Sequence, residues 1–421
     1  MTEPAPVPRR AWLWVTAAYL FQAIPAAIRD EALPAALKNI GYADSRITPL
    51  VSLLGLVLGC KILLAPVVSA FRPQGFVPAA EGTIALVIGA IAALVAGSQP
   101  SGDLVIACLV LLSLAAAAHD FALDGYFVAA LDDRTRATHS GLLNFASKLG
   151  AVLAGPGLIW LAGRAMSHGA KPAEAWSWAL WAAAGLAAAA WLSSAAGLRR
   201  EPPESADGRT VSGRFREMKE GLAALFADAR LPAVLGLIFF YRASEVHMAR
   251  VLPMFSLSAD HGGLGLANET YAAIRMLTAV LGLALGGVIG SQVVARHGLG
   301  RSLIPLAFAM HLPIAAIAWL AANGSHDLWT VGLVFFVEYV AYGAGLCALL
   351  LAMMKLAAGP GAATRYAALS TFALLANYLP GLWAGRLADE WGYARYFLFA
   401  LALAVPGLVA AWVARRRLGE G

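Results

Sequence analysis

Residues 199–230 read RREPPESADGRTVSGRFREMKEGLAALFADAR, and the fold turns on this stretch. Glu201-Pro202-Pro203 stops any helix arriving from the N-terminal side, because proline lacks an amide donor and its ring clashes with the turn before it. The Ser/Asp/Gly residues that follow have the composition of a flexible linker. The second half differs. Phe215, Met218, Leu222, Leu225 and Phe226 recur along one face of a helix whose other side carries Arg216, Lys219 and Glu220, a pattern that predicts a helix lying on the inner membrane surface. On both sides of this stretch the chain is mostly apolar: of 421 residues, 60% are hydrophobic and only 13% charged, against about 25% charged in a soluble domain. The chain is read as a helical membrane protein.

Apolar runs of bilayer length fall at 11–28, 47–71, 79–98, 104–130, 141–163 and 175–198 before the linker, and at 231–257, 271–294, 303–322, 329–354, 366–385 and 396–413 after it. The expected architecture is all-α, with twelve transmembrane helices in two six-helix bundles, 1–198 and 231–421, joined by a cytoplasmic linker at 199–230 that carries the amphipathic helix. Such halves are commonly related by a pseudo-two-fold axis around a midplane site. Trp160 and Trp383, in similar contexts at the ends of the fifth and eleventh runs, give weak support to that symmetry. With both termini inside, nineteen Lys and Arg flank spans on the cytoplasmic side and seven on the outer side, as the positive-inside rule requires. This distribution accounts for the net charge of +6 without a nucleic-acid partner. Trp12, Trp14, Trp176, Trp178 and Trp329 sit at span ends and are expected to be interfacial anchors. Small residues crowd the fifth run (Gly150, Ala151, Ala154, Gly155) and the eighth (Gly282, Gly286, Gly287, Gly290), and close helix packing is the expected reason. Cys60, Cys108 and Cys347 lie in apolar runs and are expected to be packing residues, and the scattered histidines carry no zinc spacing.

Nine ionisable residues interrupt these runs: Lys61, Asp120, Asp124, Lys148, Arg242, Glu245, Arg250, Arg275 and Glu338. Even lenient scales charge about 2.5 to 3.5 kcal/mol for such a group in hydrocarbon, so they face a wet cavity or one another. Asp120 and Asp124 share a helix face next to His119, and two like charges in a low-dielectric site favour holding a proton between them. The same pair could instead be neutralised by Lys61 or Lys148. Arg242 and Glu245 are spaced to pair along their helix, either as a static contact or as part of a substrate site. Arg275 has no acid three or four positions away on its helix, which suits it to an anionic substrate group held bidentately. Glu338, with Tyr339 and Tyr342 close by, is a second proton site or a partner for Arg275 or Arg242. Asn144, Asn377 and Tyr378 add uncharged hydrogen-bonding groups.

The segment Ala118-His119-Asp120-Phe121-Ala122-Leu123-Asp124-Gly125-Tyr126 resembles the acidic fourth-span motif of the AmpG-like branch of the major facilitator superfamily. Lys61-Ile62-Leu63-Leu64-Ala65-Pro66 resembles the end of that branch's second span, Tyr241-Arg242-Ala243-Ser244-Glu245 a motif of its seventh, and Thr364-Arg365-Tyr366-Ala367-Ala368-Leu369-Ser370 the start of its eleventh. The branch holds muropeptide permeases, acetyl-CoA transporters and siderophore permeases of the RhtX/FptX kind. The compact length and the early Gln22…Pro25…Ala32-Leu33-Pro34 pattern look most like the last. Ser69-Ala70 stands where the branch commonly has Asp-Arg, and Tyr126-Phe127 replaces basic residues that often follow the second aspartate.

The resemblance implies a monomeric, proton-coupled permease of the bacterial inner membrane that imports an anionic siderophore, with a muropeptide permease as the alternative. Proton coupling falls to Asp120, Asp124 and Glu338, and substrate binding to Lys61, Lys148, Arg242, Glu245, Arg275, Tyr342 and Asn377, with no cofactor or metal. A polytopic membrane enzyme using His119, Asp120 and Asp124 as acids and bases is the reading from another class; no nucleophile elbow or phosphate loop accompanies these residues.

Overall fold

The computed structural model describes residues 11–59, 64, 68, 73–97, 102–131, 133–198, 211–324, 327–359 and 361–418. The regular structure among them is helical: α1 (Ala11–Ala27), α2 (Leu33–Asn39), α3 (Asp44–Gly59), α4 (Pro73–Ala96), α5 (Gly102–Ala130), α6 (Asp133–Ala154), α7 (Pro156–Ser167), α8 (Pro172–Gly197), α9 (Val211–Phe226), α10 (Leu231–Phe240), α11 (Ala243–Leu257), α12 (Asn268–His297), α13 (Leu299–Asn323), α14 (Leu328–Ala357), α15 (Ala362–Tyr378), α16 (Gly381–Trp391), α17 (Tyr393–Ala402) and α18 (Ala404–Leu418). Every apolar run contains helix. Among the described residues nine helical stretches are long and apolar enough to cross a bilayer, or up to ten if the bent pair Met218–Phe226 and Leu231–Leu257 forms one broken span. The first two runs supply the shorter helices α1 and α3, of 17 and 16 residues.

Several helices break where the sequence forces them to. Pro156 follows Gly155, whose backbone has left the helix, and separates α6 from α7. Pro380 separates α15 from α16, and α10 ends two residues before Arg242, which is itself non-helical at φ −106° and ψ 5°. Broken backbone at membrane depth is tolerated where protein surrounds it. A π-turn, Ile28–Ala32, carries α1 into α2 and places Arg29, Asp30 and Glu31 side by side.

The chain forms two compact units, Met1–Ala36 with Leu63–Arg214 and Leu37–Ile62 with Phe215–Gly421. In the first, α1 packs on α6 and α8, while α4 packs on α5 and α8. Gly150 lets α6 reach the backbone of α1, since a β-carbon there would meet the carbonyl of Leu20. Trp14 and Trp176 are each only 2% exposed, so they are core residues and not the anchors the sequence suggested. Gly197 makes room for Trp14, because a β-carbon on Gly197 would stand 2.8 Å from Trp14 Cβ. Trp12, Trp178 and Trp329 remain exposed.

In the second unit, Gly282, Gly286 and Gly290 of α12 line up along α14, where a side chain would collide with Tyr339, Val340 or Ala344. This is close packing through small residues, the way membrane helices gain van der Waals contact. Cys108 and Cys347 are free, half-buried thiols, and Cys60 lies outside the described residues.

The amphipathic helix α9 turns about 90° from the span that follows it. Its Leu225 is fully buried in the core of the second unit, whereas Phe226 is exposed. Asp228, just beyond α9, accepts from Arg230 at 2.8 Å and from Arg365 at 3.1 Å, and Arg365 also donates to the Ala358 carbonyl. These contacts fasten the end of the linker to the turn before α15.

Candidate functional site

The second unit gathers most of its intramembrane charge around the break in the seventh apolar run. Arg242 sits at the break, so its side chain leaves the chain between two helices. Its Nε and Nη2 both reach Glu245 Oε2, at 2.9 and 2.8 Å. The guanidinium lies 5.1 Å from the centre of the Tyr342 ring, and Nη2 is 3.5 Å from the phenol oxygen. Two further guanidiniums repeat this arrangement: Arg275 lies 4.8 Å from the Tyr339 ring and Arg250 4.5 Å from the Tyr378 ring. Stacking a cation on an aromatic face lets it be partly desolvated while a hydrogen-bonding edge remains available.

Glu338 is buried on α14, one turn before Tyr342, within electrostatic reach of Arg275, Arg242 and Glu245. Arg275 is therefore not the isolated guanidinium its own helix suggested; its carboxylate neighbour comes from α14. Asn377 of α15 and Arg242 line one small void of about 10 Å³, room for no more than a water molecule. Among the described residues this cluster thus brings together three guanidiniums and two carboxylates.

In the first unit, α1 supplies the partners of the acidic pair. Gln22 donates to Asp120, and the Tyr19 hydroxyl donates to Asp124 at 3.2 Å. Asp120 is half-buried and Asp124 exposed. Lys148 is turned to Glu31 in the π-turn, so the neutralising role imagined for it beside the aspartates goes to a different acid. Asn144 lies one turn before Lys148 on the exposed side of α6. Lys61 lies outside the described residues.

Sequence reasoning missed three groups. Arg29, Asp30 and Glu31 lie just past the end of the first apolar run, where they occupy a π-turn, and Arg29 is buried against Asp30 at 2.8 Å. Glu81 sits in a run that otherwise reads as lipid-facing, but it is fully buried. His311 is buried against the freed carbonyl of Tyr241 at the α10–α11 break. A charge inside an apolar window was available as a signal only for Glu81.

Known proteins resemble this chain along most of its length. The Anhydromuropeptide permease of Escherichia coli K12 is 23% identical over 392 residues, covering 91% of this chain and 74% of that protein. An uncharacterised Haemophilus influenzae protein is 30% identical over 158 residues, and that match spans only 37% of its length. The Putative transporter AmpG 4 of Rickettsia conorii is 27% identical over 175 residues, 42% of this chain and 41% of that protein. Among solved structures, the D-xylose-proton symporter superposes with a TM-score of 0.74 at 12% identity over 96% of both chains. A bacterial homologue of the human lysosomal transporter Spinster does so with a TM-score of 0.69 at 16% identity over 99% of both. These structural neighbours share the fold and are transporters, not enzymes. The family profile described as Major Facilitator Superfamily matches residues 82–379, and the chain belongs to that superfamily.

Proposed function

We propose that the protein is a proton-coupled permease of the AmpG-like branch that imports peptidoglycan fragments of the anhydromuropeptide class across the bacterial inner membrane. The observation that carries this reading is the gathering of three guanidiniums, Arg242, Arg250 and Arg275, each on a tyrosine ring, since such fragments bear carboxylates. The likeness to an anhydromuropeptide permease, over 91% of this chain and 74% of that protein, supports it. In this reading Arg275, Arg242 and Lys148 meet carboxylates, Tyr342 and Asn377 orient the fragment, and Asp120, Asp124 and Glu338 carry protons. The protein works as a monomer with both termini in the cytoplasm, and its functional halves are the two six-span bundles on either side of the 199–230 linker.

The siderophore reading rests on a narrower observation, the short chain and the Gln22…Pro25…Ala32-Leu33-Pro34 pattern, and it takes second place. One experiment separates them. The gene is placed in two hosts, one unable to recycle labelled anhydromuropeptide and one unable to take up labelled ferric siderophore. Recycling restored in the first host alone is the expected result. Siderophore uptake restored without muropeptide recycling would overturn the proposal.

A further inference from the structure

Glu81 of α4 and His119 of α5 meet inside the first unit, their side chains 0% and 1% exposed and Nε2 to Oε1 3.2 Å apart. Neither belongs to the substrate cluster. The second carboxyl oxygen of Glu81 is turned toward the hydroxyl of Ser194 on α8, and both are buried with no other polar partner among the described residues. Trp191, one turn earlier on α8, lies against Gly82, the residue after Glu81.

The charge surrounding this pair is simple. α1, α4, α5 and α8 carry no lysine or arginine. From α1 comes Tyr19, whose hydroxyl is committed to Asp124. α5 adds Asp120, bonded to Gln22, and Asp124 and Tyr126; its Asp103 is in the first turn, at the far end. α8 presents the uncharged Ser194 and Trp191, with Glu174 far away in its first turn. α4 has no titratable group besides Glu81. On these four helices, His119 is thus the one group able to neutralise the Glu81 carboxylate.

We propose that Glu81 and His119 form a proton-binding site of the first unit, holding a single proton between carboxyl and imidazole while buried and releasing it when the helices around it open. The inference rests on the proton-coupled reading above but assigns the proton to groups outside the Asp120/Asp124 pair. With one proton the pair is neutral overall, whether written as carboxylate and imidazolium or as carboxylic acid and imidazole. Without it, a buried carboxylate is left to which these four helices offer no cation, and burial opposes that charge strongly. Proton occupancy therefore depends on whether the site is closed.

Its link to the substrate side runs through α1. The Phe21 ring packs on His119 with centroids 5.4 Å apart, and the next residue, Gln22, holds Asp120. A shift of α1 that loosens Asp120 also uncovers His119.

The test uses the full-length protein reconstituted in liposomes. Infrared difference spectra over about pH 5 to 9 should show a titrating carboxyl signal that disappears in Glu81→Gln. In His119→Asn, which keeps a hydrogen-bond donor but cannot be protonated, that signal should shift to a different pH. Transport is read with labelled anhydromuropeptide: accumulation driven by a proton gradient should fall about ten-fold or more in each folded variant, with gradient-free exchange kept within about two-fold. Identical infrared titration in wild type and Glu81→Gln, or accumulation and exchange falling together in His119→Asn, would overturn the proposal and leave the pair a structural contact. If wild type does not carry anhydromuropeptide, the substrate assignment fails, and the infrared titration, which needs no substrate, decides the proton site alone. Should Glu81→Gln fail to fold, His119→Asn decides by both readouts.

Discussion

Replacing Glu245 with glutamine removes the carboxylate that holds Arg242 and leaves the volume nearly unchanged. The two side chains are 6% and 17% exposed, and breaking a buried ion pair by removing one partner typically costs about 3 to 5 kcal/mol, because the other charge is left uncompensated. Two features reduce that figure. The glutamine carbonyl can still accept from the guanidinium, and Arg242 keeps the Tyr342 ring, the phenol oxygen and the field of Glu338. We therefore expect about 2 to 3 kcal/mol for Glu245→Gln. Arg242→Gln should cost a similar amount, since it strands the buried Glu245 carboxylate without the guanidinium that bonds it. In the double variant Arg242→Gln/Glu245→Gln neither charge is stranded, so most of the loss should return, with a coupling energy of about 2 kcal/mol. The assay is thermal unfolding of the four proteins in one detergent–lipid mixture, ranked by midpoint. Additive losses, with coupling below about 0.5 kcal/mol, would refute the argument that the pair is closed and buried. Uptake by the double variant then addresses the choice the sequence left open. A folded protein that still transports makes the pair a static contact, and a folded one that does not gives it to the substrate.

The coarse fold was legible because bilayer thickness imposes a length on every span, and a 32-residue polar interruption stands out against it. Details that depend on what a helix packs against were hidden. Trp14 and Trp178 both sit at the end of an apolar run, yet Gly197 gives Trp14 a pocket while Trp178 stays exposed. The same limit applies to the site. Spacing on one helix suggested the Arg242–Glu245 pair, which exists, because three residues is a local distance. Arg275 looked unpartnered because its acid lies on α14, 63 positions later in the chain. The three guanidinium–phenol contacts likewise join different helices, and no periodicity in one helix announces them. The π-turn at Ile28–Ala32 was invisible for another reason: an extra residue in a helical turn follows from contacts made by that turn, and Ile28-Arg29-Asp30-Glu31-Ala32 reads equally well as the end of a span.

Further perturbations separate packing from function. Gly286→Val drives a branched side chain into the Val340 backbone of α14 and should abolish folded protein, whereas Gly287→Val, where nothing stands within 4 Å, should be recovered at wild-type yield by size-exclusion chromatography; equal yields would contradict the α12–α14 packing. Arg275→Ala should weaken binding of labelled anhydromuropeptide about ten- to a hundred-fold, with Arg275→Lys in between, because lysine keeps the charge but loses the planar fork; unchanged affinity in a folded Arg275→Ala protein excludes the contact. Asp228→Asn tests the linker fastening by pH. The hydrogen bond and charge of Arg230, with Arg365 beside it, hold the Asp228 carboxyl down at about 2. A carboxyl depressed in the folded state contributes stability that is fully present above its unfolded value and lost as pH falls through the folded one. Over about pH 5 to 8 Asp228 is ionised in both states, so the difference in unfolding midpoint between wild type and Asp228→Asn should stay constant across that window. Below that window the wild-type advantage should shrink as pH falls from about 4 toward 2. An advantage that stays unchanged over this acid range, or is absent at every pH, would mean that the carboxylate is not clasped by its arginines, and the α9 end of the linker would then be held by Leu225 and its apolar neighbours.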